Sequence, residues 1–336
     1  MKILFVGVFQ NLWSSNIFLE KALKNNNHSV DHYNYRNNEW KLKKKRNYPN
    51  RLIYHVLTKI SNYHYFPSKL RDLKFFFFGN KRINYLLFNK IEKKRYDLVL
   101  FAKIDTINYK LINHINKISK TWYFFMDPID TAYNIRAYQY AKRCTWSSAS
   151  TSAMNKLFLK FGANSYYILE GYDPTLFNPG NQEEEKIFDV IFVGSKSKIR
   201  ENYINFLREN NVNIKCFGFG WENDPIYLKD LVSTYRTSKI ILNFPRVDTG
   251  FSDRVFQAMG TSSLLLSKYC SDLKRVFKKA IHLDWFNSPE ESLKLINFYL
   301  INEEKRKKIA EKGYNFVRNN YTWDHTAKKI IEIAQK

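Results

Sequence analysis

The apolar residues of this chain fall in short runs, and the polar segments between them carry helical spacing. Residues 3–8 form one such run. A polar stretch from Gln10 to Ser15 follows, then a segment with Leu19, Ala22 and Leu23 on one helical face, then an alternating stretch from Val30 to Tyr35. This reads as strand, loop, helix, strand, with Gly7 turning the chain and Ser15 capping the helix. Comparable runs recur at residues 96–101, 122–126, 189–194, 216–221, 240–244 and 264–266. They are largely apolar, short enough for buried strands, and their alternation with helical segments is that of βαβ units, so the pattern predicts an α/β protein with parallel sheets.

The clearest unit runs from Ser238 to Cys270. A buried strand at 240–244 leads into a polar turn built on Pro245, Asp248 and Gly250, then a helix with Val255, Phe256 and Met259 inward. Gly260 stands where a helix end favours positive φ, and residues 264–266 give the next strand. Further on, Ser288, Pro289 and Glu291 suit the N-cap, first-turn and N3 positions of a helix, and Thr322 caps a last helix with Ala327, Ile330 and Ile331.

A second strand, glycine and helix sequence begins at 189–194, after the segment G-Y-D-P-T-L-F-N-P from Gly171 to Pro179 and the acidic run at 183–185. Prolines, glycines and like charges together mark a boundary. Two domains are therefore expected, residues 1–175 and 187–320, with a linker at 176–186 and a C-terminal helical segment at 321–336. A chain of 336 residues is long enough for two cores.

Composition adds a charge asymmetry. The net charge is +24, and residues 1–175 hold 29 Lys and Arg against 11 Asp and Glu. An anionic partner would meet the first half. Residues 41–95 carry 16 basic residues against Asp72 and Glu92, interleaved with aromatics. Most of these rings read as inward faces of helices, and some of the lysines as contacts to an acidic membrane surface. A nucleic acid suits the same pattern but is the less favoured partner. An AT-rich coding sequence would produce much of the same lysine content. No apolar run is long enough to span a bilayer, and the N-terminus reads as a strand rather than a signal peptide. Three unclustered cysteines, Cys144, Cys216 and Cys270, indicate neither a disulfide framework nor a zinc site, so a reducing cytoplasm is the expected home.

Candidate chemistry lies at strand ends. Asp127 follows the run at 122–126, and Asp130 comes about one helical turn later; the pair suits a general base and its support, or an ordinary strand-exit turn. Gly194, Ser195, Lys196, Lys198 and Arg200 follow the strand at 189–194, where backbone N–H groups and cations favour an anion. There is no G-x-G-x-x-G, so the dinucleotide fingerprint is absent, and no Asp-x-Asp. None of the seven histidines is next to the strand ending at Met126, and each is best read as core or surface.

The segment T-G-F-S-D-R-V-F-Q, from Thr249 to Gln257, with A-M-G-T-S-S-L-L-L after it, resembles the sugar-nucleotide signature of family 4 and CgeB-like glycosyltransferases. Thr249 and Gln257 stand where the family 4 pattern has two Glu residues. The nonapeptide from Gly171 resembles those families' passage from first to second domain. The resemblance implies a GT-B arrangement, two Rossmann-like domains facing across a cleft, with the final helix crossing back to the first domain. It implies glycosyl transfer from a nucleoside-diphosphate sugar to a hydroxyl of a glycan or lipid-linked acceptor, with no metal and no cofactor beyond the donor. Gly194, Ser195, Lys196, Arg200, Gly218, Gly250, Phe251, Arg254 and Gln257 would bind the donor, Gln257 replacing the Glu that grips the ribose. Replacing Arg200 by Ala is expected to weaken donor binding without unfolding the protein. Rival readings are transfer to nucleic acid and, because of Thr249 and Gln257, an inactive nucleotide-sugar-binding module.

Overall fold

In a computed structural model, residues 1–35, 56, 80–104, 107–180, 184–246 and 248–336 are described. Most of the basic and aromatic stretch at 41–95, and with it the membrane-facing expectation, lies outside them. The chain divides into two compact units, Met1–Leu169 with Thr326–Lys336, and Glu170–His325. The nonapeptide from Gly171 therefore folds with the second unit.

The first unit contains β1 (Lys2–Gly7), α1 (Ser15–Asn25), β2 (Ser29–Asn34), α2 (Asn80–Lys94), β3 (Leu98–Ala102), α3 (Tyr109–Ile115), β4 (Lys120–Phe125), α4 (Ile129–Ile135), α5 (Ala137–Ala141), β5 (Trp146–Ala149), α6 (Ser152–Lys160) and β6 (Ser165–Tyr167). Its sheet has the order β2-β1-β3-β4-β5-β6 and every pairing is parallel. Strands β1, β3 and β4 are buried almost without a break, as the continuous apolar runs require, while the edge strand β2 is only partly covered. On one face Leu4, Val6, Val99, Phe101, Tyr123 and Phe125 form a core with Ile83, Leu87 and Ile91 of α2. The sheet grows outward from β1 in both directions, first to β2 and then to β3. Such a reversal opens a crevice at the carboxyl ends of β1 and β3.

Two sequence expectations at β1 change. Ser14, not Ser15, caps α1, accepting from the Asn16 N–H while its own hydroxyl donates to Val8 O. Gly7 leaves room rather than turning the chain: a Cβ there would lie 2.6 Å from Asn16 Nδ2, which donates to Val8 O at 3.0 Å.

The second unit contains β7 (Phe188–Val193), α7 (Lys198–Glu209), β8 (Ile214–Phe217), α8 (Leu228–Arg236), β9 (Ser238–Asn243), α9 (Arg254–Gly260), β10 (Leu264–Lys268), α10 (Ser271–Val276), β11 (Asp284–Phe286), α11 (Pro289–Ile301) and α12 (Glu303–Asn320); α13 (Trp323–Ala334) begins in it and ends in the first unit. The sheet order is β11-β10-β9-β7-β8, again parallel, with the reversal between β7 and β9. Ser288 caps α11 by accepting from Glu291 N–H, and the Glu291 carboxylate accepts from Asn287 N–H.

Helix α9 is buried on all sides: Val255, Phe256, Gln257, Ala258, Met259 and Gly260 are all inside. Gly260 does not supply a positive φ, which falls instead on Ser262 at 58°. It is needed because a Cβ would lie 2.5 Å from the Tyr172 ring. Gly171 of the nonapeptide has a similar reason, since a Cβ there would meet Trp323 N at 2.4 Å. Asp173 closes the following turn, accepting from the N–H and hydroxyl of Thr175.

Candidate functional site: a guanidinium cradle at the end of β7

The crevice of the second sheet lies where β7 and β9 end, and Arg200 spans it. Its Nη1 donates to Ser195 O, just after β7, at 2.7 Å, and its Nη2 donates to Phe244 O, just after β9, at 2.9 Å. The guanidinium lies 5.3 Å from the Phe192 ring centroid. Arg200 is positioned by α7, whose first turn is set by the Ser197 cap. It is thus part of the scaffold as well as a charge, and Arg200→Ala would also release two loop carbonyls.

Arg254 reaches the same place from the start of α9, donating to Val193 O at 3.3 Å. Both arginines approach Gly194. A Cβ on it would lie 2.8 Å from Arg254 Nη1 and 3.6 Å from Arg200 Nη1, so a bare Cα lets both guanidiniums close over the turn. Arg246, after β9, adds a third positive charge. Burial first, then Arg254 and Arg246, push the Arg200 guanidinium down to about 10. Like charges held together without mutual benefit are what an anion would relieve.

Gly218 makes the turn possible from the other side. A Cβ on it would be 2.4 Å from Gly194 O, and its φ is 138°. The turns after β7 and β8 touch backbone to backbone, with Gly194 N donating to Phe217 O and Lys196 N to Phe219 O, both at 2.8 Å. Lys196 pairs with Glu201 at 2.9 Å and lies 5.2 Å from the Trp221 ring centroid. Ser195 contributes its carbonyl, already bound to Arg200.

The remaining expected donor residues are less directly presented. Gly250 is buried in the loop between β9 and α9. The Phe251 ring belongs to an aromatic cluster with Phe256 and Phe277 and is only 6% exposed, so any contact from it would come through its backbone. Gln257 is also buried, and its Nε2 donates to Asp253 Oδ2 at 2.9 Å, one turn back. A carboxylate is therefore retained beside the position where the resemblance has Glu.

In the first unit, Asp127 lies just past β4, its side chain 13% exposed, and Lys103 Nζ pairs with its Oδ2 at 2.7 Å. Asp130 is exposed on the first turn of α4, where a negative charge suits a helix N-terminus. Sequence reasoning did not single out Arg246, Asp253 or Lys103. The first and last each carry a signal, being among the first charged residues after a buried strand. Among the described residues no cluster of three or more His, Cys, Asp or Glu could hold a metal ion, and no helix is long and apolar enough to cross a membrane.

Two Rossmann-like sheets in one chain, each with its reversal point at the strand carboxyl ends, are the elements of the GT-B fold. Residues 200–332, which include Arg200, Arg246 and Arg254, match the model of a family described as glycosyl transferase-like. Among solved structures, Anabaena HepE in complex with UDP and glucose aligns over 100% of this chain and 99% of its own at a TM-score of 0.69 and 12% identity. Sucrose-phosphate synthase from Thermosynechococcus elongatus aligns over 99% and 98% at 0.64 and 10% identity. A DNA-modifying β-glucosyltransferase, studied with and without its substrate uridine diphosphoglucose, aligns over 99% of both chains at 0.57 and 15% identity. At these identities the likeness is one of fold. No curated protein sequence matches the chain.

Proposed function

We propose that this protein transfers a sugar from a nucleoside-diphosphate sugar to a hydroxyl of a glycan or lipid-linked acceptor, without a metal ion. The observation that carries this reading is the cradle around Gly194, with two guanidiniums packed against a bare Cα at the reversal point of the second sheet. A diphosphate there accepts hydrogen bonds from Arg200 and Arg254. When the bond from the anomeric carbon to the diphosphate oxygen breaks, the electron pair leaves with the diphosphate and its charge meets those cations, which act without reorganising. The acceptor oxygen bonds to the anomeric carbon, and Asp127 is the residue we assign to take its proton. HepE, of the same fold, was captured with UDP and glucose, which supports a uridine nucleotide as the first donor to try. We place the reaction in the cytoplasm, with the basic residues of 41–95 meeting an acidic membrane face, a reading supported by the concentration of positive charge in the first half of the chain.

The test is release of nucleoside diphosphate from a panel of nucleotide sugars, with a chelator present and with or without a crude membrane lipid extract. Slow release from one donor, accelerated by the extract and indifferent to chelator, is expected. Silence across the panel together with thermal stabilisation by UDP would replace the reading with that of a nucleotide-binding module. Acceleration by DNA rather than by lipid extract would move the acceptor to nucleic acid.

A further inference from the structure

The reversal point of the first sheet also carries a charged pair, and only half of it has been given a role. Lys103 is the first residue after β3, and β3 is one of the two strands that flank the crevice. Asp127 lies two residues past the end of β4, the next strand. Lys103 Nζ meets Asp127 Oδ2 at 2.7 Å; the lysine side chain is 49% exposed and the carboxylate largely covered.

The backbone at Lys103 is unusual. Its φ of 51° is left-handed, a conformation that costs energy in any residue with a Cβ. It persists because both of its backbone polar groups are held. Lys103 N donates to Phe124 O at 3.3 Å, and its carbonyl accepts from the Tyr35 hydroxyl at 3.1 Å, with Tyr35 fully buried. A half-exposed ion pair adds little to stability. A strained, doubly anchored residue that delivers an ammonium to a nearly covered carboxylate beside a sheet reversal point has the character of a site rather than of a surface bridge.

We propose that Lys103 is the positioning residue of the acceptor site, fixing the Asp127 carboxylate so that it accepts the hydrogen of the reacting hydroxyl. This rests on the glycosyl-transfer reading above. One Asp127 oxygen is engaged by the ammonium, which sets the orientation of the carboxyl group, and a carboxylate has further lone pairs for a hydroxyl donor. The ligand class is a polyol or saccharide hydroxyl, neutral and hydrogen-donating.

The experiment uses the full chain with UDP-glucose, or whichever donor of the panel is consumed, and a titration of the lipid extract. Lys103→Met should lose about fivefold in the extract-stimulated rate at low extract, the upper end of what one half-exposed ion pair is worth. Its UDP affinity and melting temperature should stay at the wild-type values. Lys103→Arg should recover most of the rate. Lys103→Met combined with Asp127→Asn should be no slower than Asp127→Asn alone. Lys103→Gly removes the side chain while accommodating the left-handed backbone, so it keeps the test intact if the Met variant folds poorly, and it should show the same loss. Wild-type rates in Lys103→Met or Lys103→Gly, or losses that simply add to those of Asp127→Asn, would overturn the assignment. A wild-type protein that consumes no donor would remove the glycosyl-transfer reading, and this assignment with it.

Discussion

Arg254→Met is the most informative perturbation of the cradle, because Arg254 contributes charge to the site and little to the scaffold. Its one described hydrogen bond, to Val193 O, is 3.3 Å long, whereas Arg200 holds two loops at 2.7 and 2.9 Å. In the free protein Arg254 is a like charge beside Arg200 and one reason the latter is pushed down to about 10, after burial. Removing it should therefore leave the unliganded melting temperature unchanged or slightly raised. With UDP bound the balance reverses. A charge-assisted hydrogen bond to phosphate is worth ~2 kcal/mol, which corresponds to a Kd about thirtyfold higher. At a UDP concentration of about 100 times the wild-type Kd, ligand binding stabilises the native state by ~2.7 kcal/mol. The same concentration should stabilise the variant by only ~0.9 kcal/mol. Thermal shift with and without UDP reads both numbers, and calorimetric titration gives the Kd directly. A UDP-induced shift equal to that of the wild type would refute the argument, since it would show that no phosphate lies near the guanidinium. A collapse of the unliganded protein would refute it differently, by making Arg254 structural.

Two other substitutions address the frame around the site, and a third tests an ion pair in the first unit. Gly218→Ala places a Cβ 2.4 Å from Gly194 O at a φ of 138°, so denaturant unfolding should show a loss of about 2 kcal/mol or more, and UDP affinity should fall with it. Gly260→Ala drives a methyl into the Tyr172 ring at 2.5 Å and should cost about 1–3 kcal/mol in the same assay. There the UDP Kd of the folded fraction should be unchanged, and a changed Kd would mean that α9 transmits packing to the cradle. Asp31 is held below the usual carboxylate range, by the Tyr96 hydroxyl at 2.7 Å first and then by Lys94. A depressed folded value means that its contribution, about 1 kcal/mol or less at a part-exposed site, is present above about pH 4 and is lost as pH falls through the lowered value. The stability gap between wild type and Asp31→Asn should therefore close on acidification, and a gap that persists at pH 2 would show that the hydrogen bonds do not depend on the charge.

Much of the architecture is legible in the sequence because parallel strands covered on both faces are continuous apolar runs. The strands that escape this reading escape it for a physical reason. Strand β5 reads W-S-S-A and is polar, yet Ser147 and Ser148 are fully buried, Ser148 accepting from the Trp122 indole N–H at 2.8 Å. Strand β11 opens with Asp284, buried and bonded to the Tyr299 hydroxyl at 2.8 Å. A polar residue whose partner is far along the chain looks like a loop until the partner is known.

The same limit separates the kinds of site residue. Gly194 and Arg200 can be recognised locally, as a glycine-ended strand followed by a basic helix start. That Arg200 binds the exit of β9 as well as that of β7 depends on the order β9-β7-β8, which no window of sequence contains. Gly260 shows how the inference fails: its place at a helix end suggests a backbone reason, and the actual reason is a tyrosine ring 88 positions away in the chain, against which only hydrogen fits. Lys103 and Asp127 obey one positional rule, a charged group just past a buried strand. The rule singles out the aspartate because a carboxylate has an evident role in proton transfer, and it passes over the lysine because an isolated ammonium has none. The lysine becomes interpretable only once adjacent strands β3 and β4 bring it within 2.7 Å of the carboxylate. Strand-end position therefore nominates charged residues in this fold, and strand order decides which of them act together.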